Sequence, residues 1–171
     1  MKESFQNRSF WVLFYLFVIL GLVGVGNVVA HEVNKLRETD DFKIEVTDVR
    51  LVSQTGQAYA LKDPFYALDS MVFDIKLMQP GDSIVYEATV SNTGDQDAYL
   101  NDLNIRFHEY VEGPIKFTVS NVKIGSTELR QNLNNKIIIE AVYDDSYVGV
   151  VDETNNHISV MVNLIYRPMQ G

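Results

Sequence analysis

The sequence predicts an all-β fold: an antiparallel β-sandwich, Ig-like or jelly-roll, held as an ectodomain behind one N-terminal hydrophobic helix. Three observations predict it. Residues 10–30, FWVLFYLFVILGLVGVGNVVA, carry no charge, and a run of that length crosses a bilayer as a helix. From Phe42 onward apolar and polar residues alternate in short runs, the period of half-buried strands. Turn residues separate those runs, which number about seven to nine, as a sandwich or jelly roll requires.

The elements follow in order. Lys2 and Arg8 precede the apolar run, and Glu32, Glu38, Asp40 and Asp41 follow it. By the positive-inside rule the N-terminus stays inside and the rest is exported. Residues 1–30 have two readings. One is a signal peptide cleaved after Ala30, where Val28-Val29-Ala30 supplies a small-residue end. The other is an uncleaved signal-anchor, which suits the length and the bulky aromatics. The chain then lies on the outer face of a bacterial cytoplasmic membrane, or is secreted if cleaved. Residues 31–41, HEVNKLRETDD, form a charged stalk, and residues 42–171 form the extracellular domain.

In that domain Phe42, Ile44 and Val46 share one parity and Val49 and Leu51 the other, which predicts a bulge near Thr47-Asp48. Residues 53–57 read as a turn, 59–61 as a short strand, and 65–70 as an excursion or one helical turn. Met71, Phe73, Ile75 and Leu77 alternate next. Residues 78–100 read as turn, strand, turn, strand, hence as a hairpin: Pro80-Gly81-Asp82 opens it, Ile84, Tyr86, Ala88 and Val90 face one side, and Asn92-Thr93-Gly94-Asp95 closes it. Later strands carry Leu103, Ile105 and Phe107; then Ile115, Phe117 and Val119; then Ile137, Ile139, Ala141 and Tyr143; and finally Ile158, Val160, Val162, Leu164 and Tyr166. A long acidic loop, 144–156, precedes the last one.

Charge and composition exclude several classes. Residues 31–171 hold 12 basic and 22 acidic side chains, a formal charge of −10. Such a surface repels phosphate backbones, so nucleic acid is not an expected partner. The chain has no cysteine, which excludes disulfides, thiolate metal sites and cysteine nucleophiles.

No catalytic constellation appears, and no enzyme activity is expected. His31, His108 and His157 lie far apart, and His31-Glu32 is not followed by the second histidine of HExxH. Gly81-Asp82-Ser83 lacks the G-x-S-x-G elbow. No cofactor is expected, with Ca²⁺ as the one candidate. Asp95 and Asp97 cluster beside Asn92, and Asp144, Asp145 and Asp152 cluster in the acidic loop; loop carboxylates of this kind can bind Ca²⁺, although neither stretch has EF-hand spacing. The same residue types also serve turn geometry.

The order of signals carries a resemblance. A strand FKIEVTDVRLV follows the export segment, a PGD turn opens a strand ending in NTGDQDA, and the last strand reads ISVMVNLIYRP. This resembles the camelysin/TasA-like secreted proteins of Gram-positive bacteria, whose β-sandwich domains include biofilm-fibre subunits. The resemblance implies a non-catalytic cell-surface or matrix protein that assembles through protein–protein contacts. Some camelysin relatives are classed as metallopeptidases, but no motif here carries that activity over. The alternative is a monomeric membrane-tethered binding module that presents residues 144–156. Contacts through sheet edges are expected, with residues 31–41 and 158–166 as the expected edges.

Overall fold

The computed structural model describes residues 42–108, 113–152 and 155–169. The export segment and stalk expected for residues 1–41 lie outside them. Within the described residues the alternating runs become ten strands and no helix: β1 (Ile44–Thr55), β2 (Tyr59–Ala60), β3 (Phe65–Ala67), β4 (Ser70–Lys76), β5 (Ser83–Asn92), β6 (Ala98–Phe107), β7 (Ile115–Ser120), β8 (Glu128–Leu129), β9 (Asn134–Tyr143) and β10 (His157–Pro168). Every pairing is antiparallel.

The strands form two sheets. One has the order β1-β5-β9-β7; the other has the order β2-β4-β10-β6-β8, with β3 also on β4. The sheets pack face to face through the residues whose alternation predicted burial. Met71, Phe73, Ile75 and Leu77 meet Ile84, Ala88, Val90, Ile137, Ile139 and Ala141, all fully buried. Phe73 of the six-stranded sheet lies 5.2 Å from Tyr86 and 6.2 Å from Phe117 of the other, ring centre to ring centre. Burial pushes the Tyr86 phenol above its ordinary pKa, and the nearby Asp63 carboxylate adds to this.

Register changes explain the parity switches. Val46 pairs with Val90 but Asp48 with Thr89, so Thr47 is the extra residue of the predicted bulge. In β6, Asp102 pairs with Ile165 and Leu100 with Tyr166, which leaves Asn101 unpaired. That bulge keeps both Ala98 and Leu100 and then Leu103, Ile105 and Phe107 turned to the core.

The structure corrects four readings. Residues 78–100 are not a hairpin. From β4 to β10 each successive strand lies in the opposite sheet, so the turns at 80–82 and 92–95 cross between layers. Turn residues and alternation are the same for a hairpin and for a crossing; only long-range pairing separates them. Second, the terminal strand is not an edge. β10 lies between β4 and β6 and pairs with both. Third, residues 65–67 are β3, joined to β4 by the two-residue loop Leu68-Asp69, rather than an excursion or helical turn. Fourth, β1 continues through Thr55, where a turn was expected from residue 53.

Two buried polar side chains hold the crossings. Asp82 is fully buried. Its Oδ1 accepts from Gln57 N at 2.8 Å, and its Oδ2 from Met78 N at 2.7 Å and Gln79 N at 3.2 Å. Gly56, at φ +62°, leaves room for this carboxylate, since a Cβ there would collide with Oδ1. At the other end of β5, buried Asn92 donates through Nδ2 to Gln96 O and Leu129 O and accepts from Gly94 N at Oδ1.

Removing the Asp82 carboxylate strands three inward N–H groups. Asp82→Ala is expected to cost on the order of 3–5 kcal/mol in urea unfolding, with Asp82→Asn intermediate because it keeps one acceptor oxygen. Gly56→Ala should cost less in the Asp82→Ala background than alone, since the colliding oxygens are gone. A loss from Asp82→Ala no larger than that of an ordinary surface substitution would contradict this assignment.

Candidate interaction surfaces

The acidic loop between β9 and β10 is built from short-range hydrogen bonds. Asp144 accepts from Ser146 Oγ at 2.6 Å and Ser146 N at 3.0 Å on Oδ1, while its Oδ2 meets Lys116 Nζ at 2.9 Å. Those contacts, with the Ser146 hydroxyl first and Lys116 second, hold the Asp144 carboxyl at about 2. Tyr147 N donates to Asp144 O at 3.0 Å, and the Tyr147 ring lies over Gly149, where a side chain would strike it. Asn155 braces the loop from within: its Nδ2 donates to Val150 O at 2.7 Å and its Oδ1 accepts from Asp152 N at 2.9 Å. Between these fastenings stand Val148, 100% exposed, and Val150, 82% exposed. The two valines stand two residues apart on a loop that its own hydrogen bonds hold in place.

The five aspartates considered for Ca²⁺ fall into separate groups. Asp95 and Asp97 lie past the end of β5 and share Gln131, whose Nε2 donates to Asp95 Oδ1 and whose N donates to Asp97 Oδ1. Asp144, Asp145 and Asp152 lie near the start of β5, where Asp145 Oδ1 accepts from Gly81 N at 3.3 Å. Among the described residues no three His, Asp or Glu side chains converge in a metal-holding group. Ser83 Oγ sits 2.9 Å from Thr55 Oγ1 as part of a strand pair. His157 Nε2 lies 4.0 Å from Asp74 Oδ1 on the six-stranded sheet, and His108 N donates to Ser159 O. The structure does not bring Ser83 and a histidine together in these contacts.

The sheet margins differ. The six-stranded sheet ends in fragments of two or three residues, β2, β3 and β8, whereas the four-stranded sheet ends on β1 and β7. β1 is covered at its start, where Val46 N donates to Leu68 O. Beyond that point it carries Leu51 and Val52 exposed, with a second register shift between Leu51 and Ser53. β7 pairs with β9 without a register shift over its six residues and turns Lys116, Thr118 and Ser120 outward. Across the outer face of this sheet Glu87 Oε1 binds Arg50 Nη2 at 2.7 Å and Lys136 Nζ at 2.9 Å. Lys136 first, and Arg50 after it, hold the Glu87 carboxyl below its ordinary pKa.

Two depressions lie on the surface of the described residues. One of about 360 Å³ is lined by Val72, Arg106, His108, Ser159 and Met161, among others. The other, about 280 Å³, lies between Phe42 and Ile44 on one side and Leu68, Leu164 and Tyr166 on the other. Burial pushes the Tyr166 phenol up to about 12, and its oxygen has no hydrogen-bond partner.

Comparison with protein families, with curated proteins and with solved structures gives no match.

The Asp144 contacts set a titration. Its folded value is depressed, so the fastening is complete above the ordinary carboxylate value of 3.8 and is lost as pH falls through about 2. Carbon-13 detection of the carboxyl should place the midpoint near 2, and both Ser146→Ala and Lys116→Met should raise it. A wild-type midpoint at the ordinary value would show that the loop is not fastened in this way.

Proposed function

We propose that this chain is an exported, non-catalytic β-sandwich protein of the cell surface or extracellular matrix, and that it assembles through protein–protein contacts at its sheet edges. The observation that carries the proposal is the pair of open edges, β1 and β7, on the four-stranded sheet. An unpaired strand edge is a template for a strand from another chain. β7 is the better template, because it has no bulge and lies beside the regular β9. The alternation of successive strands between sheets from β4 to β10 supports a jelly roll over an Ig-like arrangement. The uncharged run of residues 10–30 supports export, with a bacterial membrane anchor or a cleaved signal as the means.

A second reading has its own observation. Val148 and Val150, displayed on a fastened loop, suit a monomeric tethered module that binds a protein partner through that loop.

Sedimentation of residues 31–171 across concentration, with Ca²⁺ added or withheld, separates the two. Assembly predicts a fast species that grows with concentration. Thr118→Lys and Val52→Lys together should raise the concentration needed for it by roughly tenfold or more, because edge lysines oppose strand pairing. A monomer at every concentration in both conditions would defeat self-assembly of this portion and leave the loop-binding module.

A further inference from the structure

Three loops at one end of the domain display large apolar side chains. Leu68, in the β3–β4 loop, is 71% exposed; Leu133, before β9, is 55% exposed; Met169, after β10, is 41% exposed. Backbone hydrogen bonds tie these loops to the point where the chain enters the domain. Val46 N donates to Leu68 O, Thr93 N and Gly94 N donate to Lys43 O, Asn92 N donates to Leu133 O, and Met169 N donates to Asp97 O. Ile44 pairs with Asn92 in the same region.

Leu68 is the most telling of the three. It occupies the first position of a two-residue hairpin loop at φ +54°, a place that glycine fills without strain. A leucine there is unfavourable in backbone and in hydration together, and such residues persist where another interaction offsets them.

Charge at this end is mixed. Lys43, Arg130 and Arg167 stand there with Glu45, Asp69, Asp95, Asp97 and Glu128; Lys43 pairs with Glu45 and Arg130 with Glu128, and carboxylates outnumber the basic groups.

We infer that this end docks on the lipid surface, with Leu68, Leu133 and Met169 seated among the headgroups. The inference rests on the anchor form of the export reading. In that form residues 31–41 alone separate the apolar run from Phe42, a reach of at most about 40 Å when fully extended. A few apolar side chains hold a free domain on lipid only marginally, but a short tether raises the effective concentration and strengthens a second contact by about 10²–10⁴-fold. With carboxylates in excess at this end, the lipid surface that suits it is zwitterionic rather than anionic.

The absence of native cysteine makes the test direct. The full chain is reconstituted into phosphatidylcholine vesicles as single-cysteine variants Leu68→Cys, Leu133→Cys and Thr118→Cys, each labelled with a polarity-sensitive fluorophore. Flotation reports the anchor, and a nitroxide on the lipid headgroup reports docking. Docking predicts quenching by about twofold or more at positions 68 and 133 with position 118 unchanged. Flotation without quenching at both loops, or with equal quenching at 118, overturns docking and leaves the anchor standing. Failure to float overturns both.

Discussion

A carboxylate removed from water must take its hydrogen bonds from the chain, and Asp82 takes three from backbone N–H groups of two separate turns. Gln57 belongs to the turn after β1, in the four-stranded sheet, while Met78 and Gln79 follow β4, in the six-stranded sheet. One side chain thus fixes the distance between the layers at this end. Its own backbone extends the reach, since Tyr143 N donates to Asp82 O at 2.9 Å and so sets the end of β9. Acceptance by several N–H groups is what makes a buried charge tolerable. It also explains why Gly56 must lack a side chain and why the PGD turn ends in an acid.

Asn92 has the corresponding task at the other end of β5. A neutral amide suffices there because it faces both carbonyls, Gln96 O and Leu129 O, and an N–H, Gly94 N. β5 is therefore fastened at both ends while its inward residues meet the opposite sheet. Fixing the ends matters in a chain whose strands alternate between layers. β10 reaches back to pair Val162 with Met71, so few contacts form early between near neighbours.

What the sequence made legible follows from which physical signals are local. Alternation is local, so the inward sets of β4, β5, β9 and β10 could be read directly, as could the bulge at Thr47 from the parity change between Val46 and Val49. Sheet membership is not local. The turns at Gly81 and Asn92 have the composition of hairpin turns, yet they join different sheets, because the partner of each strand lies tens of residues away. β10 carried no local mark of its central place: its partners β4 and β6 are set by long-range pairing, which alternation does not encode. β3 and β8 are too short for periodicity to register, whereas β2 stood out between two turn signals as the short strand read at residues 59–61. Among the surfaces, the loop of residues 144–156 stood out by composition, with Val148 and Val150 inside an acidic stretch. The loop at Leu68 did not, since nothing in YALDS announces a positive φ at a leucine.

The exposed valines and the open edges impose different demands on a partner. A strand added to β7 gains its affinity from main-chain hydrogen bonds and needs little from side chains, which suits repeated contacts between copies. The loop offers no such ladder. Its contribution is order: Asp144, Tyr147 and Asn155 already hold it through Ser146, Gly149 and Val150. A partner that covers Val148 and Val150 therefore loses less to ordering the loop than it would on a mobile segment, and more of the apolar burial appears as affinity. The surrounding carboxylates of Asp145 and Asp152 favour a pocket rimmed by basic groups. The acidic surface of this chain does not match that description, so under the tethered-module reading the loop would meet a different protein, whereas under the assembly reading the edges would meet another copy of the same one.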